Sequence, residues 1–102
     1  MAQVVVLYKT PKDPVAFDKY YAATHIPLAK KMPGLRKYQV SQGPVATPAG
    51  PSGLHLVATL TFDSMAAVQN AFGSAEGKAT AADVPNFASG GADILIFDTR
   101  DV

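Results

Sequence analysis

The sequence predicts an α+β domain with the element order βαββαβ. Three observations predict it: a β-branched run at the start, Val4-Val5-Val6-Leu7-Tyr8; two stretches of helical apolar spacing, each following a strand; and a two-residue alternation over Leu54 to Phe62. The 102 residues suit one domain, 1–102, around one core. An apolar fraction of 48% with 17% charged residues belongs to a globular chain and excludes a disordered one.

Gln3 to Lys9 is too short for a helix and apolar on both faces, so it is a strand inside the sheet. Asp13 followed by Pro14 is a helix start. The carboxylate caps free N–H groups, and proline at the first helical position loses no hydrogen bond. Phe17, Tyr20, Tyr21, Thr24 and Leu28 then recur at helical spacing. Pro27 lacks a donor for the Ala23 carbonyl, which predicts a helix from Pro14 to about His25, then a kink or short second helix to about Met32. Leu35 to Gly43 reads as a strand near a sheet edge. Gly43 to Gly53, with three prolines and three glycines, reads as a mobile hairpin loop.

Leu54 to Asp63 is the clearest strand, with Leu54, Leu56, Ala58, Leu60 and Phe62 on one face and His55, Val57, Thr59 and Thr61 on the other. Ser64 caps a helix carrying Met65, Val68 and Phe72 and stopped at Gly73. A weaker helix from Ser74 to about Ala82 ends at Val84-Pro85, and Ala92 to Asp98 is the last strand. This order is the split βαβ, ferredoxin-like arrangement, with an antiparallel sheet and both helical crossovers on one face. The opposite face is then bare in a single copy. Val4 to Tyr8 and Ile94 to Phe97 are apolar on both sides, and at ~25 cal/mol per Å² leaving them wet forgoes several kcal/mol. A homodimer with two sheets face to face is the expected remedy.

Nine basic and eight acidic residues give a net charge of +1 without a basic stripe, which argues against nucleic acid and anionic membrane as partners. There is no cysteine, hence no disulfide scaffold, thiolate nucleophile or cysteine-bound metal. Met-Ala-Gln runs straight into the first strand, and no apolar run approaches the ~20 residues of a membrane span, so a cytoplasmic protein is expected.

The stretch Phe17-x-x-Tyr20-Tyr21-x-x-x-His25-x-Pro27-Leu28, followed by Gly34-Leu35 and Tyr38, resembles the signature of the ethyl tert-butyl ether degradation (EthD) family. The resemblance spans nearly the whole chain. It implies a dimeric α+β barrel and a role in catabolism of small organic compounds, without fixing a reaction.

His25 falls on one helical face with Tyr21 and Phe17, where it serves as a general base or acid or, alternatively, caps the helix end as an imidazolium. Tyr20 and Tyr21 either line an aromatic pocket or fill the core with a wet tip. The candidate small-molecule site between helices and sheet comprises Phe17, Tyr21, His25, Tyr8, Tyr38 and Phe72. His55 belongs to the cavity, to the subunit interface or to the surface. No Asp or Glu stands at ligand spacing from either histidine, so no metal is expected. Haem, nucleotide and serine-hydrolase motifs are lacking as well, and no cofactor is expected. Three readings stay open: an enzyme working by cofactor-independent proton transfer or oxygenation, a non-catalytic dimer that sequesters a ligand, and a purely structural dimer.

Overall fold

In the computed structural model, which describes residues 1–102, β1 (Ala2–Lys9) is the second strand from one edge of a four-stranded sheet. The others are β2 (Lys37–Val40), β5 (Leu54–Phe62) and β6 (Ala92–Asp98), in the order β2-β5-β1-β6, every neighbour antiparallel. Strands joined by a helical crossover therefore run in the same direction with one antiparallel strand between them. That is the ferredoxin-like topology. The loop from residue 43 to 53 carries a small ladder of its own, β3 (Ala46–Thr47) against β4 (Gly50–Pro51), in place of the structureless connection expected there.

The first helical unit does not break at Pro27. It runs through α1 (Pro14–Tyr20), a π-helical turn (Tyr21–His25) and α2 (Ile26–Ala29). The Asp13 carboxylate accepts from the Ala16 N–H at 3.0 Å, as a cap should. At the far end the Ile26 N–H reaches back five residues to the Tyr21 carbonyl. The wider turn relieves the clash between the Pro27 ring and the carbonyl four residues earlier, so the helix absorbs the proline.

Ser64 caps α3 (Met65–Gly73) and Ser74 caps α4 (Ala75–Asp83), each through a hydroxyl that accepts a backbone N–H three residues on. A short 3₁₀ turn follows at Val84–Asn86. The close turn between α3 and α4 depends on Gly77, where a Cβ would lie 2.0 Å from the Ala71 carbonyl oxygen.

Ala2, Val4, Val6 and Tyr8 of β1 are buried beneath the helices, with Ala58, Leu60 and Phe62 of β5 beside them and Phe17, Val68 and Phe87 above. The opposite face has no cover. It carries Val5, Leu7, Val57, Leu95 and Phe97 among Gln3, Thr59 and Thr61, an apolar centre with a polar margin. Ile94 and Ile96 point to the helical side yet are 47% exposed, because the helices stop short of the β6 edge. No helix is long and apolar enough to cross a membrane.

His55 departs from the alternation expected of its strand. Tyr8 faces Leu56 and Lys9 faces Leu54, so His55 is the extra residue of a β-bulge. The bulge turns its ring to the helical side, edge-on to Phe17 at 4.8 Å, with Nε2 2.7 Å from Asp18 Oδ1.

The Gly77 contact makes a direct test of the helical packing. Gly77→Ala is expected to cost about 1–3 kcal/mol by overpacking. In a thermal melt that corresponds to a fall of roughly 4–8 °C per kcal/mol. Gly73→Ala, whose new methyl would meet nothing within 4 Å, should leave the melting temperature within a few degrees of wild type.

Candidate active site

Residues from four parts of the chain converge beside the π-helical turn. The turn presents His25, which is 3% exposed, toward the sheet. The end of α4 brings Asp83 to it, with Asp83 Oδ2 2.9 Å from His25 Nδ1. Tyr20 donates its hydroxyl to Asp83 Oδ1 at 2.6 Å, and Asn86 donates Nδ2–H to the same oxygen at 3.0 Å. Burial pushes the Asp83 carboxyl up, but the hydrogen bonds from Tyr20, Asn86 and His25 outweigh it and hold the group below the usual carboxylate range. Asp83 is thus ionised and accepts only, so Nδ1 of His25 carries the proton and donates it. Nε2 is left with a lone pair and no partner within the chain, and it is not sealed off, since no fully buried side-chain nitrogen or oxygen goes unpaired.

Burial lowers the His25 pKa below the ordinary histidine value, outweighing the hydrogen bond and charge of Asp83, which raise it. The imidazole is neutral at pH 7. This replaces the helix-capping imidazolium considered from the sequence: the chain continues as helix past His25, so no free carbonyls gather there to favour a positive charge.

His25 forms part of the wall of an apolar cavity of about 30 Å³ between the helices and the sheet. Tyr8, Tyr38 and Phe72 line it too, and apart from His25, Thr80 and the tyrosine tips its walls are hydrocarbon. Ile94, half exposed, and Ala81 on α4 are the exposed residues of the wall. Above the cavity, α4 packs on α2 and α3.

Phe17 and Tyr21, expected in the lining, stand behind it as core aromatics. Phe17 stacks on Tyr21 at 5.7 Å, and both rings meet Tyr8 edge-on. The Tyr21 hydroxyl is hydrogen-bonded to the Tyr38 hydroxyl. Burial is the main reason that the Tyr8, Tyr21 and Tyr38 hydroxyls are all pushed above the usual tyrosine range, so they remain protonated.

Two participants escaped the sequence reading. Phe87 touches Tyr8, Phe17, Tyr20, Tyr21 and His25. Asp83 lies 58 residues beyond His25. Its signal was a carboxylate in the last turn of a helix, where carbonyl ends disfavour negative charge and donors must come from elsewhere. The chain contains no group of three or more His, Cys, Asp and Glu placed to hold a metal ion.

A family model described as the EthD domain matches residues 9–91. The chain belongs to the EthD family. The chain is similar to an uncharacterised 11.0 kDa protein of the thcB-thcC intergenic region of Rhodococcus erythropolis. That protein is 37% identical over all of this chain and 98% of its own length. A crystal structure of an EthD family protein from Bacillus halodurans superposes with a TM-score of 0.88 at 35% identity, over 98% of this chain and 99% of that one. Beyond the EthD family the same fold recurs in SnoaB, a cofactor-independent oxygenase of Streptomyces nogalater. There the TM-score is 0.67 at 14% identity, over 99% of this chain and 94% of that one.

The lowered pKa values of His25 and Asp83 act in one direction on stability. Unfolded chains take up a proton at histidine as pH falls through ~6.5, whereas the folded protein resists, so the His25 contribution is present above that pH and lost below it. Asp83 adds a second loss below ~4. Between pH 8 and pH 5 the melting temperature is therefore expected to fall, and to fall less steeply in His25→Gln. In an NMR titration Asp83→Asn should move the His25 pKa further down, since the carboxylate is the group that raises it.

Proposed function

We propose that this EthD protein binds a small organic molecule in the cavity beneath α4 and acts on it by cofactor-independent proton transfer, with His25 as general base. The observation that carries this reading is the Asp83–His25 pair: Nδ1 is held by an ionised carboxylate, Nε2 has no partner in the chain, and His25 lines an apolar cavity. Such a pair fixes the tautomer, aims the ring and stabilises the imidazolium formed when Nε2 takes a proton. A neutral histidine with a lowered pKa is in its basic form at pH 7. The apolar walls suit an uncharged, planar compound, in keeping with catabolism of small organic molecules.

One observation favours a second reading, a purely structural dimer whose tyrosines fill the core. The cavity of about 30 Å³ holds about two waters, so its walls must move apart before any organic ligand fits.

The protein acts as a homodimer under both readings. The bare sheet face centres on Val5, Leu7, Val57, Leu95 and Phe97, with Leu95 49% and Phe97 43% exposed in one copy. Two such faces packed together bury their apolar centres and leave the polar margins wet, which closes the α+β barrel.

Thermal melts against a panel of small phenols and ketones test the ligand site. A true ligand at 100 times its Kd stabilises the folded state by about 2.7 kcal/mol. If the protein is an enzyme, proton transfer to or from that ligand appears by NMR and vanishes in His25→Gln while the thermal shift persists. A thermal shift without turnover identifies the sequestering dimer, and no shift with any compound removes the ligand site. For the assembly, light scattering should give a dimer for wild type and a monomer for Leu95→Glu. A wild-type monomer at tens of micromolar would exclude the barrel.

A further inference from the structure

Three tyrosine hydroxyls meet at the wall of the cavity, and their protons cannot all be used within the protein. The Tyr21 and Tyr38 hydroxyls share one hydrogen bond, and the Tyr8 ring meets Tyr21 edge-on beside it. Each hydroxyl has one proton to give. That bond uses one of the three protons, and even a second bond, from Tyr8 to Tyr21, would leave one O–H without an acceptor in the trio. Tyr21 is enclosed behind the wall, whereas Tyr8 and Tyr38 both line the cavity. The spare donor therefore belongs to the cavity.

His25 lines the same cavity, and with Nδ1 bonded to Asp83 its spare acceptor is Nε2. Between the two lies hydrocarbon. A ligand that satisfies both must offer an oxygen to the hydroxyl and an acidic proton to the imidazole, on a flat apolar frame.

We infer that the ligand is an enolisable carbonyl compound, whose oxygen accepts the spare hydroxyl of the Tyr8–Tyr21–Tyr38 trio while His25 Nε2 removes the proton from the adjacent carbon. This rests on the ligand site proposed above and names its substrate class. In the step, the C–H electron pair becomes the C=C bond of an enolate and the C=O π pair moves onto oxygen. The proton resides on Nε2, and the new imidazolium is stabilised by Asp83. Return of that proton, to the same carbon or to a conjugated one, restores the carbonyl and completes an exchange or an isomerisation. No oxidant or reductant enters. The tyrosine donor strengthens its hydrogen bond as charge develops on oxygen, the arrangement of an oxyanion hole, and water-poor walls magnify it. Because burial keeps all three phenols protonated, the donor does not become a second base.

The test uses 2-indanone and its hydrocarbon counterpart indane, of nearly the same shape, titrated into the dimer or monomer as it stands in solution and followed by NMR. The ketone should bind at least tenfold more tightly than indane. In D₂O the protein should speed replacement of the ketone's α-hydrogens by deuterium at least 100-fold over buffer. His25→Gln should abolish that acceleration. Tyr8→Phe/Tyr38→Phe should reduce it about 100-fold, the usual effect of deleting an oxyanion donor, with the fold verified by the wild-type chemical shifts of the buried methyl groups. If neither compound binds, the ligand site itself falls and this inference with it. If both bind equally, the site stands and the donor is refuted. Preference for the ketone without exchange refutes enolisation, and exchange indifferent to loss of both hydroxyls refutes the tyrosine role. The comparison of ketone with hydrocarbon needs no variant, so it holds even where the double substitution fails to fold.

Discussion

A carboxylate taken out of water must be ringed by donors, and in this protein that requirement organises the helical layer. Asp83 is 8% exposed and accepts from Tyr20, His25 and Asn86. Those three donors come from α1, from the π-helical turn and from the 3₁₀ turn after α4. Losing one would leave part of a buried charge unpaired, which is why such groups act as pins. The pin locks the end of α4 to the first helical unit, although α4 itself lies on helices and not on the sheet. Without it the cavity would have no defined roof.

The π-helical turn supplies the other half of the geometry. An uninterrupted α-helix would bring each residue back on a 3.6-residue period. The extra residue of a π turn resets that phase between Tyr20 and Ile26. Tyr20 and His25, five apart, thereby converge on one carboxylate, while Tyr21 turns inward to Tyr38 and Tyr8. The proline read from the sequence as a kink or the start of a short second helix does sit in such a helix, α2, joined without a break by the turn that aims the histidine. Stacking of Tyr21 on His25, with ring centres 5.3 Å apart, and the Phe87 ring at 4.6 Å fix the imidazole from the sides.

Much of the fold was legible because its signals are local. The β-branched run of β1, the alternation of β5, and the caps at Asp13, Ser64 and Ser74 each specify an element from a handful of adjacent residues. His55 was misplaced because one bulged residue shifts the pleat, and nothing in Leu54-His55-Leu56 marks the bulge. Within the candidate site, His25, Tyr8, Tyr38 and Phe72 were nameable from helical and strand spacing. Phe17 and Tyr21 share that spacing with His25, but their rings pack on each other and edge-on against Tyr8 instead of lining the cavity. Asp83 and Phe87 depend on contacts across more than 55 residues of chain, for which periodicity carries no information.

The exposed strand β6 connects the site to the proposed assembly. Ile94 lines the cavity on the helical side, and its neighbour Leu95 points to the bare face. Alternation along one strand thus gives the two surfaces adjoining residues. In an isolated copy β6 is an edge strand bonded only to β1 and half exposed on both faces, the least restrained part of the sheet. Pairing through Leu95 and Phe97 would hold β6 from one side and so stiffen the Ile94 wall on the other. Opening for a ligand would then fall to α4, whose far end is held by Asp83. If a ligand enters under the proposed function by displacing α4, the carboxylate that holds His25 would also anchor the moving roof, and entry would be linked mechanically to the orientation of the imidazole.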